Sequence, residues 1–257
     1  MTTKVRMTPW ISRQQPNPNA SMRLFCFPYA GGGASIYRDW HKSFPPTIEV
    51  CPVQLPGRGE RLGEPPFTQI KALVDATAEA LFPFFDKPFA FFGHSMGALL
   101  GYELAHLLLK EKAAAPLKLF VSGHSAPHLR NREMITYDLP EDEFIAELRR
   151  LKGTPKQVLE HPELMTLMIP LLRADFEICE TYRSASEARL DCPITAFGGT
   201  DDTEVPQKKI EGWREHTSGP FLLHMLTGDH FFIHTSQSDV VRTVVRESTR
   251  HLVTTSA

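Results

Sequence analysis

The pentapeptide Gly93-His94-Ser95-Met96-Gly97 has the residue types and spacing of a serine nucleophile held on a sharp turn. It lies between PFAFF, which is typical of a buried strand, and ALLGYELA, which is typical of a helix. A Cβ two residues before or after Ser95 would collide with the neighbouring strand or helix, so both positions require glycine. The turn also directs the Met96 N–H toward an oxyanion beside the serine. The motif predicts that Ser95 is a nucleophile.

A serine hydroxyl is a weak nucleophile near neutral pH, so the chemistry also requires a base and an acid that orients it. When a nucleophile follows a strand in this way, the two groups come later in the chain, each just after a further strand. His230 follows the apolar segment FLLHMLTG and is the predicted base. Asp202, in the sequence Asp-x-x-Val-Pro, is the predicted acid because this spacing turns its carboxylate inward. The adjacent Asp201 is the alternative.

The segment PYAGGG at residues 28–33 follows the first predicted strand and offers a second oxyanion donor. Its glycines let backbone N–H groups approach a ligand closely, and we expect the Ala30 N–H to act with that of Met96. A phosphate-binding loop is the alternative, but neither a Lys-Ser/Thr continuation nor a GxGxxG pattern is present. The histidine pairs 124/128 and 230/234 lack the glutamate of an HExxH motif, so no metal site is expected.

The elements that must position these residues alternate between strands and helices. Apolar segments near residues 22–28, 48–56, 88–93, 116–123, 192–199 and 220–228 are predicted strands, with helical patterns between them. This order predicts an α/β protein with a mostly parallel central sheet and helices on both faces. Residues 138–183 hold several helical patterns and no strand, which predicts a helical lid inserted in one domain spanning residues 21–257. Residues 1–20 are expected to form a flexible tail.

Composition limits the classes of partner. The chain has 257 residues and a formal net charge of −2, a balance that argues against nucleic acid or an anionic membrane. No apolar run approaches the roughly 18–20 residues of a membrane span. The first 20 residues lack the apolar core of a signal peptide, so we expect a cytoplasmic protein. Its four cysteines are then expected to be reduced and largely buried.

Seven segments, in this order from residue 22 onward, together resemble the type II thioesterases: FPYAGGG, VQLPGRGER, FGHSMG, LKGTP, LRADF, GGTDD and GDHFF. These free-standing enzymes serve polyketide and nonribosomal peptide synthases, and a relative releases medium-chain products from fatty acid synthase. The resemblance implies an α/β-hydrolase fold with a mobile lid, and hydrolysis of acyl, aminoacyl or peptidyl thioesters on the phosphopantetheine arm of carrier proteins. It also implies the roles given above to Ser95, His230, Asp202, Met96 and Ala30. That the substrate is a thioester rests on this resemblance alone.

Further expectations concern the substrate and partners. Tyr29, Met165 and Met168 are candidate substrate contacts, although residues 164–172 could equally be a lid helix that packs on the core. The loop arginines 58, 61, 130 and 132 could contact an acidic carrier protein or the pantetheine phosphate, or they could simply be solvated. We expect a monomer with no cofactor of its own. A carboxylesterase, a lipase or an acyltransferase would use the same three side chains, and a non-catalytic binding protein on this scaffold is a further alternative.

Overall fold

The computed structural model describes residues 8–12, 17–129, 135–184 and 188–254, with side chains up to residue 250. Within these residues six strands form one sheet in the order β2-β1-β3-β4-β5-β6, and every neighbouring pair is parallel, which confirms the predicted α/β class. The strands are β1 (Met22–Phe27), β2 (Ile48–Pro52), β3 (Phe89–His94), β4 (Lys118–Ser122), β5 (Ile194–Gly199) and β6 (Phe221–Leu226).

The sheet buries both of its faces under helices. Side chains that alternate along a strand point to opposite faces, so Phe25 and Phe91 enter one core while Leu24 and Phe92 enter the other. The first core is covered by α1 (Ile70–Leu81), α2 (Met96–Lys110) and α6 (Gln207–Glu211); the second by α7 (Phe232–Thr235) and α8 (Gln237–Thr254). Parallel strands need this double cover, and their near-continuous apolar sequences reflect it.

Three helices occupy the predicted lid region: α3 (Glu141–Leu151), α4 (Lys156–Leu159) and α5 (Pro162–Thr181). They share a small core of their own, built around Phe144, Leu148 and Ile169. Helix α5 contains Pro170 in its interior and continues through it. None of the described helices is long and apolar enough to cross a membrane.

The expectation of a loose N-terminal tail is wrong for residues 8–12. Ile11 is buried and pairs with Val53 in an antiparallel bridge, and the Arg61 guanidinium lies 4.2 Å from the centre of the Trp10 ring. The apolar and aromatic side chains of this short segment cover the end of β2. The segment is too short for its role to be detected by a search for periodic patterns. Residues 17–20 are also held in place, because the Asn17 N–H donates to the Glu49 carboxylate at 3.2 Å and Ala20 is buried. Residues 1–7 and 13–16 lie outside the described residues.

The aromatic cluster beneath α1 should dominate the stability of the first core. Phe91 is fully buried and contacts Phe25, Phe27, Phe85 and Phe89. We expect Phe91→Ala to lower the free energy of unfolding by about 3–5 kcal/mol, because it removes buried area and leaves a cavity.

The matched control for this variant is Phe82→Ala, since the Phe82 ring is 62% exposed. Its change should stay within about 0.5 kcal/mol. Urea denaturation followed by circular dichroism measures both values, and equal losses in the two variants would contradict the assignment of the core.

Candidate active site

Ser95 occupies the turn between β3 and α2 in a backbone conformation that most residues avoid, with φ 52° and ψ −118°. The turn is tight on both sides. A Cβ at Gly93 would lie 2.0 Å from the Gly97 carbonyl oxygen, and one at Gly97 would lie 2.2 Å from the Phe27 carbonyl oxygen of β1. Both glycines are therefore required by close backbone approach, as the motif predicted.

The structure brings Ser95, His230 and Asp202 into one hydrogen-bonded chain. His230 Nε2 lies 3.2 Å from the Ser95 hydroxyl oxygen, and His230 Nδ1 lies 2.8 Å from Asp202 Oδ2. The three residues come from the ends of β3, β6 and β5, which meet at one edge because all of these strands are parallel. This is the geometry in which an imidazole can take a proton from a hydroxyl while a carboxylate fixes its orientation.

The two adjacent aspartates have different surroundings. The Asp202 side chain is fully buried, and its second oxygen accepts hydrogen bonds from the N–H groups of Glu204 and Val205 at 2.9 and 3.0 Å. Asp201 is exposed, and its carboxylate accepts a hydrogen bond from the Thr200 hydroxyl. The geometry thus favours Asp202 over Asp201 as the partner of His230.

A buried ion pair holds the glycine-rich loop after β1. Asp175 of lid helix α5 accepts hydrogen bonds from both terminal nitrogens of Arg58 at 2.7 and 2.8 Å, and from the Gly31 N–H at 2.7 Å. Arg58 also donates to the Gly32 carbonyl at 3.1 Å. The loop backbone next to Ala30 is therefore fixed by charged groups on two other elements.

This arrangement corrects the expectations for the loop arginines. Arg58 and Arg61 are 5% and 6% exposed, so neither is a solvated loop charge nor free to contact a carrier protein. Arg61 forms an ion pair with Glu64 and packs on Trp10. Arg130 and Arg132 lie outside the described residues.

Of the two predicted oxyanion donors, Met96 directly follows the serine in the chain, and Ala30 belongs to the loop after β1. Met96 is the first residue of α2, so its N–H has no carbonyl within the helix to which it can donate. Ala30 lines the same cavity as Ser95. The positive end of α2 adds to the potential at this point.

Ser95 and His230 open onto a cavity of about 710 Å³ beneath the lid. Tyr29 lines this cavity, and its hydroxyl lies 2.9 Å from His234 Nε2.

The expectation that Met165 and Met168 line the catalytic cavity is wrong. Met165 is buried within the lid core, and Met168 lines a separate cavity beside Arg58, because α5 turns these side chains away from Ser95. Leu172 and Phe176, further along the same helix, face the catalytic cavity instead.

His94 is a site residue to which the sequence assigned no role. Its Nε2–H donates to the His230 carbonyl at 3.0 Å, and its Nδ1 accepts from the Ser122 hydroxyl at 2.8 Å. Burial, aided by the neighbouring His230, lowers the pKa of His94 well below its ordinary value, so the ring stays neutral. His94 thus holds the backbone of the residue whose ring faces Ser95. The position of His94 directly before Ser95 in the sequence was a signal that could have indicated a role in the site.

The parallel sheet, the elbow at Ser95 and the Ser95–His230–Asp202 chain define an α/β-hydrolase fold with the site of a serine hydrolase. The family model described as "Thioesterase domain" matches residues 22–247. The chain belongs to this family: it is a type II thioesterase, and it hydrolyses acyl thioesters.

Similar proteins cover almost the whole chain. The Brevibacillus parabrevis protein named linear gramicidin dehydrogenase LgrE is 44% identical over 98% of this chain and 97% of its own length. The medium-chain S-acyl fatty acid synthase thioesterase of Rattus norvegicus is 43% identical over 84% of this chain and 83% of its own length. The solved structure of the type II thioesterase BorB from the borrelidin biosynthetic cluster is 34% identical, with a TM-score of 0.86 over 97% of this chain and 100% of that one.

Replacing each carboxylate by an amide in turn distinguishes the roles of Asp202 and Asp201. We expect Asp202→Asn to lower kcat by about 10⁴-fold, because an amide no longer stabilises the protonated ring of His230 and can favour its wrong tautomer. Asp201→Asn is the matched control and should change kcat less than about twofold, since its carboxylate faces solvent. Steady-state hydrolysis of an acyl thioester measures both, and the reverse order would assign the acid to Asp201.

His124 should make the protein sensitive to mild acid. Burial lowers the pKa of His124 from 6.5 to about 4, despite a hydrogen bond to the Ser125 carbonyl. Below pH 6.5 the unfolded chain binds a proton at this ring, whereas the folded protein does not until about pH 4. Unfolding therefore takes up a proton in this window, and the free energy of unfolding decreases as the pH falls from 6.5 to 4.

The variant His124→Asn removes this one ionisable group. Between pH 6.5 and 4 we expect the free energy of unfolding of this variant to fall less steeply with decreasing pH than that of wild type. The difference between the two slopes should correspond to the uptake of about one proton on unfolding. Urea denaturation at a series of pH values gives the slope for both proteins. Identical slopes would show that His124 does not change protonation on unfolding.

Proposed function

We propose that this thioesterase removes acyl, aminoacyl or peptidyl groups from the phosphopantetheine arm of carrier proteins. Ser95 is the nucleophile, His230 the general base and Asp202 the acid that orients it. The observation that carries the proposal is the hydrogen-bonded chain of these residues at the wall of a cavity large enough for an acyl chain.

The mechanism has two steps. His230 takes the hydroxyl proton as Ser95 attacks the thioester carbonyl, and the N–H groups of Met96 and Ala30 stabilise the tetrahedral oxyanion. One such donor contributes about 2.7–4 kcal/mol to lowering the barrier. The pantetheine thiolate leaves with the proton from His230, and an acyl-serine remains. A water molecule, deprotonated by the same ring, then cleaves the acyl-serine and releases the free acid.

The partner follows from the relatives. Their names refer to linear gramicidin, to the borrelidin biosynthetic cluster and to fatty acid synthase, and two of the three are thioesterases by name. We do not propose the dehydrogenase activity that the name of LgrE states for this chain. Its strand β3 leads into a nucleophile elbow, and the loop after β1 lacks the GxGxxG fingerprint of a dinucleotide-binding site. We propose acyl or peptidyl carrier domains of a polyketide, nonribosomal peptide or fatty acid synthase as the partners.

Three further proposals describe the working state. The enzyme needs no cofactor of its own, because side chains and backbone supply every group in the mechanism and the phosphopantetheine arrives with the substrate. It acts as a monomer. It works in the cytoplasm, where thiols stay reduced, in agreement with the four cysteines, none of which forms a disulfide in the structure.

A carrier protein loaded with an acyl group and followed by mass spectrometry tests the proposal. Wild type should release the acid and free carrier. Ser95→Ala should lower that rate by more than about 10⁴-fold, because no other group replaces the nucleophile. Assays with p-nitrophenyl esters provide the comparison. Strong turnover of these esters without release from the carrier would instead indicate a carboxylesterase or lipase.

Two controls complete this test. A fluorophosphonate probe should label wild type and not Ser95→Ala, whereas equal labelling would remove Ser95 from the mechanism. Adding alcohol or amine acceptors to the carrier assay should still give the free acid. Transfer of the acyl group in preference to water would identify an acyltransferase.

A further inference from the structure

One part of the catalytic cavity is polar. The cavity wall includes Leu148, Leu172 and Phe176, which suit an alkyl chain. It also includes His128, Glu215 and His216, from the loop after β4 and the turn at residues 212–216. Neither the elbow nor the His230–Asp202 pair involves these three residues.

The two histidines belong to a chain of hydrogen bonds that begins inside the protein. The hydroxyl of buried Tyr102 lies 2.8 Å from His216 Nδ1, and His216 Nε2 lies 2.8 Å from His128 Nδ1. The last atom of the chain is His128 Nε2, which lies 3.8 Å from the Glu215 carboxylate. That distance is too long for a hydrogen bond, so the contact with Glu215 is electrostatic.

The chain determines what His128 offers to the cavity. Burial, together with the nearby His128, lowers the pKa of His216 to about 4, so this ring is neutral and has a single N–H. When the Tyr102 hydroxyl donates to His216 Nδ1, the proton of His216 is on Nε2 and is donated to His128. The proton of His128 is then on Nε2. The negative charge of Glu215 further favours a proton at that atom.

We propose that the N–H of His128 Nε2 donates a hydrogen bond to an oxygen atom along the bound acyl chain. The enzyme therefore favours acyl groups that carry a keto, hydroxyl or amide oxygen over unsubstituted alkyl chains of the same length. His128 determines specificity, and Tyr102 and His216 are positioning residues that direct its proton into the cavity. The inference rests on the proposed function, since it concerns the acyl group of the same substrate.

Matched acyl chains on one carrier protein test this inference. The set contains an unsubstituted chain and chains of equal length with a single keto oxygen at successive positions. For wild type we expect kcat/KM for at least one keto chain to exceed that for the plain chain by about 3- to 10-fold, which corresponds to one additional hydrogen bond. Equal values at every position would overturn the inference.

His128→Phe keeps a flat ring and removes the donor. We expect the ratio of keto to plain chain to fall to about one in this variant, while the plain chain is still hydrolysed. A ratio that survives the substitution would show that another group recognises the oxygen. The matched control is His161→Phe, because His161 is exposed at the start of α5 and outside the cavity. Its ratio should equal that of wild type.

Tyr102→Phe tests whether the Tyr102 hydroxyl fixes the positions of the protons on His216 and His128. Tyr102 is not among the residues that line the cavity, so the cavity wall is unchanged. The substitution keeps the ring that packs edge-on against Trp213 and removes the hydroxyl that fixes the proton of His216. We expect the ratio of keto to plain chain to fall toward one in this variant, while the plain chain is still hydrolysed. An unchanged ratio would remove Tyr102 from the relay.

The same measurements separate failure of this inference from failure of the proposed function. If no carrier-bound chain is hydrolysed, the proposed function is wrong. If every chain is hydrolysed at the same rate, the proposed function stands and the role of His128 is wrong.

Discussion

The site depends on one strained turn. Ser95 has φ 52°, and it can hold that conformation because the chain approaches itself closely at Gly93 and Gly97. The turn lifts the hydroxyl above the sheet edge, begins α2 at Met96 and thereby directs a backbone N–H to the same place. The proposed nucleophile Ser95 and the proposed oxyanion donor Met96 consequently have fixed relative positions before any substrate binds. The strain is maintained by the packing of α2 against β1 and β3.

The second constraint joins the lid to the oxyanion loop. Asp175 and Arg58 are both almost fully buried, and removing either would leave an isolated charge in the interior. Asp175 belongs to the lid helix, yet its carboxylate also holds the Gly31 N–H, one residue after the expected donor Ala30. A large displacement of α5 would break this pair. Helix α5, which lines the catalytic cavity with Leu172 and Phe176, therefore also positions the loop that carries the proposed oxyanion donor Ala30.

The sequence predicted what is local and periodic, and it could not predict contacts between distant segments. Apolar segments located the strands, and the order of loops after them brought together Ser95, His230 and Asp202. The ion pair between residues 58 and 175 spans more than 100 positions, and no pattern links its members. The lid methionines were misassigned because an apolar helix buries two faces, one in the lid core and one over the cavity, and composition does not distinguish them.

The hydrogen-bond partners of four histidines near the catalytic cavity explain why His230 is suited to act as the base. His94 contacts a hydroxyl and a carbonyl, His124 a carbonyl, and His216 a phenol and a second imidazole. Burial lowers the pKa of each of these three rings and keeps them neutral. His230 is less buried and bonded to Asp202, which stabilises the imidazolium that forms when Ser95 gives up its proton. The neutral rings of His94 and His216 provide directed N–H groups instead, and these need no change in charge to hold the His230 backbone or to orient the proposed donor His128.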